Sequence, residues 1–117
     1  MTEERGSLST SRITWRTNNM MVRILQIKDI ATTDYAFRGY DPAKFKLEDY
    51  EVVYCLEADC FEGKTNEEIL EVVFHVFNMR RPADFEGHSL SVSDLIALES
   101  DGENRVYYCD PCGWTQI

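Results

Sequence analysis

The chain is short of positive charge: 12 Lys and Arg stand against 21 Asp and Glu, a formal net charge of −9 over 117 residues. Affinity for nucleic acid rests largely on cations that neutralise phosphates, so direct binding to DNA or RNA is not expected. Long hydrophobic runs are missing as well. No stretch approaches the roughly 20 apolar residues that cross a bilayer, and the opening MTEERGSLSTSRITWRTNNM has no apolar block of the secretory kind. The expected compartment is therefore the cytoplasm, where the 4 cysteines stand as thiols or metal ligands and not as disulfides. Glycine-rich phosphate loops, dinucleotide fingerprints and metalloprotease motifs are likewise lacking, and no cofactor is expected.

What is there is an ordinary globular composition, 44% apolar and 12% aromatic, at a length suited to one domain. Charge is distributed unevenly. Residues 1–28 carry five basic and two acidic groups (+3), residues 41–72 three and ten (−7), and residues 83–110 one and seven (−6). An acidic surface of this kind attracts basic protein partners, and in an extreme form it imitates nucleic acid. Glu48, Asp49, Glu51, Glu62, Glu67 and Glu71 are the candidate partner-binding residues. Oligomeric state is left open.

Residues 1–19 are polar and without periodicity, which reads as a flexible leader before a single domain over 20–117. Met21–Ile27 is β-rich and predicts a first strand. Gly39, Asp41 and Pro42 mark a turn, with Pro42 fit to open a short helix or turn through Leu47. Glu51–Glu57 predicts a second strand, apolar on both faces and so suited to a central place in a sheet. Thr65-Asn66-Glu67-Glu68 is a capping box that starts a helix. Ile69, Leu70, Val73, Phe74, Val76 and Phe77 form its apolar stripe, with Glu71 and His75 paired one turn apart on the polar face.

Leu90 to Leu98 alternates like a strand, interrupted at Asp94. Two causes are open: a turn or bulge at Ser93-Asp94 that bonds its own backbone, or an inward Asp94 meeting buried donors. Glu99–Asn104, with its Asp-Gly pair, reads as a hairpin loop before a return strand Arg105–Cys109. The expected fold is α+β, a small, mostly antiparallel sheet of about four strands with one main packed helix.

Three chemistries are weighed against plain packing. Cys55-x4-Cys60 and Cys109-x2-Cys112 supply four thiolates, the number a tetrahedral zinc site needs, yet Cys55 and Cys109 fall in predicted strands where small apolar residues pack. A redox role for Cys109 and Cys112 would want a helix after the second cysteine, and only five residues follow it. A small hydrolase would pair a Cys or Ser nucleophile with His88 and Asp94, but no nucleophile-elbow pattern is present. The favoured reading has no catalytic residues and no bound metal.

The segment Pro82, Phe85, Gly87-His88-Ser89-Leu90-Ser91-Val92-Ser93-Asp94, followed by Tyr107-Tyr108, Asp110 and Gly113-Trp114, resembles the YodL-like domain over about residues 20–117. DYAFRGYD and LEDYEVVY fit its first half. Pro111, Cys112 and Trp114 depart from the usual small polar residue, apolar residue and Phe. The resemblance implies a bacterial host of the Gram-positive gut type and proteins of phages and conjugative elements, and it carries no catalytic set. The bottom-up reading of Gly87, His88, Ser89, Ser91, Ser93, Asp94, Asp110 and Gly113 is structural. Gly87 should permit a turn closed to other residues, Asp94 should satisfy local N–H groups, and Asp110 with Gly113 should close the final turn. The expectation is a non-enzymatic acidic interaction domain of a mobile element, modulating a host or element-encoded protein. The alternative is an anti-restriction or anti-CRISPR inhibitor of a defence nuclease, acting by nucleic-acid mimicry.

Overall fold

Alternating burial along MMVRILQI makes Met20–Ile27 (β1) an interior strand, with Val22 and Ile24 fully buried on one face and Ile27 buried on the other. The computed structural model describes residues 20–58, 64–100 and 102–117. The leader 1–19, Cys60, Glu62 and Asp101 of the hairpin loop lie outside the described residues. Tyr50–Ala58 (β2), Leu95–Ser100 (β3), Glu103–Asp110 (β4) and Gly113–Gln116 (β5) complete one sheet in the order β2-β1-β3-β4-β5. Every pairing is antiparallel.

The expectation of about four strands is thus one short. β5 was missed because no alternation shows in only four residues. Its formation is local: Asp110 pairs with Gly113 across Pro111-Cys112, and Gly113 takes φ +138°, a backbone region that side chains disfavour. Thr115 Oγ1 then donates to Asp110 Oδ2, and Trp114 packs edge-on against Phe74.

The helix Asn66–Met79 (α1) begins where the capping box places it. Glu68 N–H donates to Thr65 Oγ1 at 3.2 Å, and Thr65 N–H to Glu68 Oε1 at 2.8 Å. It buries Ile69, Leu70, Val73 and Phe77 against Val22, Ile24, Ile96, Leu98 and Tyr107. Its end at Arg80 comes just ahead of Arg81-Pro82, since proline disfavours the helical region in the residue before it. Glu71, expected beside His75, accepts from the Trp114 indole N–H at 3.0 Å. No helix of the described residues is long and apolar enough to cross a membrane.

The opposite face is covered by the 28–49 segment. Tyr35, Tyr40 and Phe45 pack on Ile27, Tyr50, Leu95 and Tyr108. Asp41 organises the turn, its backbone carbonyl accepting from Lys44 and Phe45 and its side chain from Ala43. A 3₁₀ turn, Leu47–Asp49, leads into β2.

Two further expectations are corrected. β2 lies at the edge, not the centre. Its two-sided apolar character arises because Tyr54 and Leu56 meet the helix-side core while Tyr50 meets the aromatic segment; Val52 is 53% exposed. A register shift opposite Ile24 and Leu25 leaves Val53 as the extra residue of a bulge. The strand predicted from Leu90 begins only at Leu95, because Ser93 adopts φ +83° and turns the chain.

Candidate functional site

Gln26 falls in β1 at the position after Val22 and Ile24, so its polar side chain enters the helix-side face, where it is 3% exposed. A buried amide needs partners. Its Nε2 donates to the His88 carbonyl at 2.8 Å and to Asp94 Oδ2 at 3.1 Å. The same oxygen accepts the Ser91 N–H at 3.0 Å. Both causes proposed for the interruption at Asp94 therefore operate together: the chain turns, and the carboxylate points inward to hold it.

Buried as it is, the Asp94 carboxyl is pushed up to about 6 by loss of solvent, against the pull of the Ser91 N–H, His88 and Gln26. His88 Nδ1 lies 4.0 Å from Asp94 Oδ2 and 2.7 Å from the Ser89 carbonyl. Nδ1 also lies 3.3 Å from the Gln26 amide nitrogen, a donor, whereas the Ser89 carbonyl is an acceptor. The ring is tied to its own loop and stands 6.1 Å from that of Phe37. Among the described residues no Ser or Cys side chain bonds the His88 ring, so a nucleophile, His88 and Asp94 are not brought together.

The serines serve the same turn. Ser93 is buried; its Oγ accepts the Phe37 N–H at 2.9 Å and its carbonyl accepts the Tyr50 hydroxyl at 2.5 Å. Its backbone also meets β4, with Ser93 N–H donating to the Cys109 carbonyl and Cys109 N–H to the Asp94 carbonyl. Asp110 Oδ1 accepts the Tyr40 N–H at 2.7 Å, tying the 28–49 segment to the last hairpin.

Gly87 is required for a reason other than the one expected, since its φ is not in the left-handed region. A Cβ there would collide with Gln26 Oε1 and press the Phe85 ring at 3.0 and 3.1 Å. Gln26 cannot yield without releasing Asp94. Gly87→Ala is expected to cost roughly 1–3 kcal/mol by this overpacking, measured by urea denaturation; unchanged stability would show that the Gln26 side chain is free to move aside.

Among the described residues the cysteines form no cluster. Cys55 on β2 and Cys109 on β4 are separated by two intervening strands, on the order of 14 Å at the usual interstrand spacing. Cys55 and Cys112 are exposed, whereas Cys109 is buried and its thiol is pushed up to about 12 by burial, which removes it as a thiolate at neutral pH. Among the described residues no group of three or more His, Cys, Asp and Glu side chains is placed to hold a metal ion.

Beside the Gln26 network a depression of about 470 Å³ opens at the edge of β2, lined in part by Gln26, Ile30, Glu51, Val52, Glu86 and His88. Of the expected partner-binding acids, Glu48 and Glu51 are exposed near this edge and Glu67 and Glu71 are exposed on α1. Asp49 accepts the Tyr35 hydroxyl at 2.7 Å and so supports the fold. Sequence reasoning missed Gln26, Tyr50 and Phe37. The signal for Gln26 was available, as the polar residue in the inward series Val22, Ile24, Gln26; the other two depend on the folding over of 28–49.

No curated protein and no solved structure matches the chain. The family model of the YodL-like domain matches residues 21–117. Its stretch takes in β1, the aromatic cover, the helix and the Gly87–Asp94 turn, and the chain belongs to the YodL-like domain family.

Proposed function

We propose that this is a non-enzymatic protein-interaction domain, carried by a mobile genetic element and acting on a host or element-encoded protein through its acidic surface. One observation supports it above the others: the polar groups that look catalytic are engaged in holding backbone. Asp94 holds Gln26 and Ser91, His88 holds Ser89, and Ser93 holds Phe37. Glu48, Glu51, Glu67 and Glu71 remain exposed. The mobile-element setting is the one the family resemblance implies.

Nuclease inhibition by mimicry calls for carboxylates in a phosphate-like row. Glu48 and Glu51 sit at the start of β2 and Glu67 and Glu71 on the first turns of α1, two separate clusters and not one row, an arrangement that favours ordinary protein contact. A purified assay of DNA cleavage by a defence nuclease separates these readings.

The test is affinity capture from bacterial lysate at low and high salt with three proteins: the parent, Glu48→Gln/Glu51→Gln and Glu67→Gln/Glu71→Gln. Asp49 is left intact because Tyr35 depends on it. Capture should weaken with salt, and one pair should weaken it by roughly two- to fivefold per neutralised acid. A partner indifferent to salt and to both pairs would remove the acidic surface from the account.

A further inference from the structure

We infer that the open edge of β2 takes an extended, cationic segment of the partner as an added strand, anchored at Val52. This rests on the interaction reading above and specifies the partner's chemistry.

An edge strand presents unpaired N–H and C=O groups. Among the described residues β2, 9 residues long, pairs with β1 alone, whereas the other edge, β5, has 4 residues. The direction of its groups follows from the ladder. Lys28 N–H donates to the Asp49 carbonyl, and Tyr50 N–H turns back to the Leu47 carbonyl. Alternation then directs the N–H and C=O of Val52 away from β1. Edges are commonly protected by lysine or proline. YEVVYCLEA has neither, and carries Glu51 and Glu57.

The side chains give the chemistry of the occupant. Val52 is 53% exposed and Ile30 39%, both in the wall of the 470 Å³ depression, where Glu51 and Glu86 outnumber Lys28. Apolar residues alternating with Lys or Arg meet this edge with hydrophobic contact and opposite charge at once. A second copy fits poorly. Antiparallel pairing of two β2 strands about Tyr54 sets Glu51 against Glu57 twice, and like charges directly opposite repel.

The probe is a peptide of alternating lysine and valine matching the 9-residue strand. Two controls accompany it: a glutamate-valine counterpart, and the lysine-valine peptide N-methylated on alternate amides. Binding is followed by fluorescence anisotropy, and amide exchange by NMR. The lysine-valine peptide should bind and slow exchange at the Val52 N–H. N-methylation should weaken it about tenfold or more, since it removes the inter-strand donors. The glutamate peptide should not bind, and Glu51→Gln/Glu57→Gln should weaken the lysine peptide. Failure of the lysine peptide to bind, equal binding after N-methylation, or a peptide-free dimer that protects β2 would overturn the inference. Salt-sensitive capture of a lysate partner that leaves the Val52 amide unprotected would sink strand addition alone and leave the acidic-surface reading standing.

Discussion

Replacing Tyr108 by alanine is expected to destabilise the domain by about 3–5 kcal/mol, the usual cost of emptying a buried aromatic site. Tyr108 has no exposed surface, and its ring meets Tyr40 and Phe45 edge-on at 5.2 and 6.0 Å. Its hydroxyl donates to the Arg38 carbonyl at 2.7 Å. The residue is thus a post under the 28–49 segment, which contributes no strand to the sheet. A local effect should accompany the global one: amide exchange at Arg38 and Phe45 should accelerate more than exchange within α1. Tyr108→Phe keeps the ring and leaves the carbonyl short of a donor, at about 1–3 kcal/mol. Thermal unfolding and exchange together provide the measurement. An alanine variant within about 1 kcal/mol of the parent, well below the range for buried aromatics, would mean that the segment is held by other contacts.

The second prediction concerns Asp94 and has a sign that depends on pH. Burial raises its folded-state pKa from 3.8 to about 6, so between those values the folded protein holds a proton that the unfolded chain has released. The Asp94 contribution is at its best below about pH 4 and is lost as pH rises through 6, a cost on the order of 2–3 kcal/mol at neutral pH. Asp94→Asn removes that titration and keeps an oxygen for Gln26 and Ser91. The stability difference between parent and Asp94→Asn should therefore shift toward the parent as pH falls from 7 to 4.5. Asp94→Ala strips the acceptor from two donors and should cost roughly 2–4 kcal/mol at pH 4.5, where no charge is buried in the parent. Urea midpoints at the two pH values measure both. A flat difference, or one moving toward the asparagine variant in acid, would show that the carboxyl is not destabilised by its surroundings.

These expectations concern residues that sequence could single out only in part. Asp94 announced itself by interrupting an alternation, and a local bond to Ser91 could be guessed. Its second partner, Gln26, lies 68 residues away. Gly87 was marked for importance with the wrong cause, because close approach of a distant side chain leaves no local trace. The edge position of β2 was hidden in the same way: two apolar faces look alike whether a strand lies centrally or at a rim capped by separate layers.

What the sequence determined by itself is what short-range physics controls. Thr65 to Glu68 starts the helix through bonds made within one turn, the helix stripe names its buried face, and the return hairpin follows from alternation about a glycine turn. Tertiary structure alone decided strand order, the folding of Tyr35, Tyr40 and Phe45 over the second sheet face, and the meeting of Gln26 with Asp94. Those outcomes depend on which distant surfaces bury one another. Pairing energy of that kind belongs to two segments jointly, so neither one carries it in its own residues.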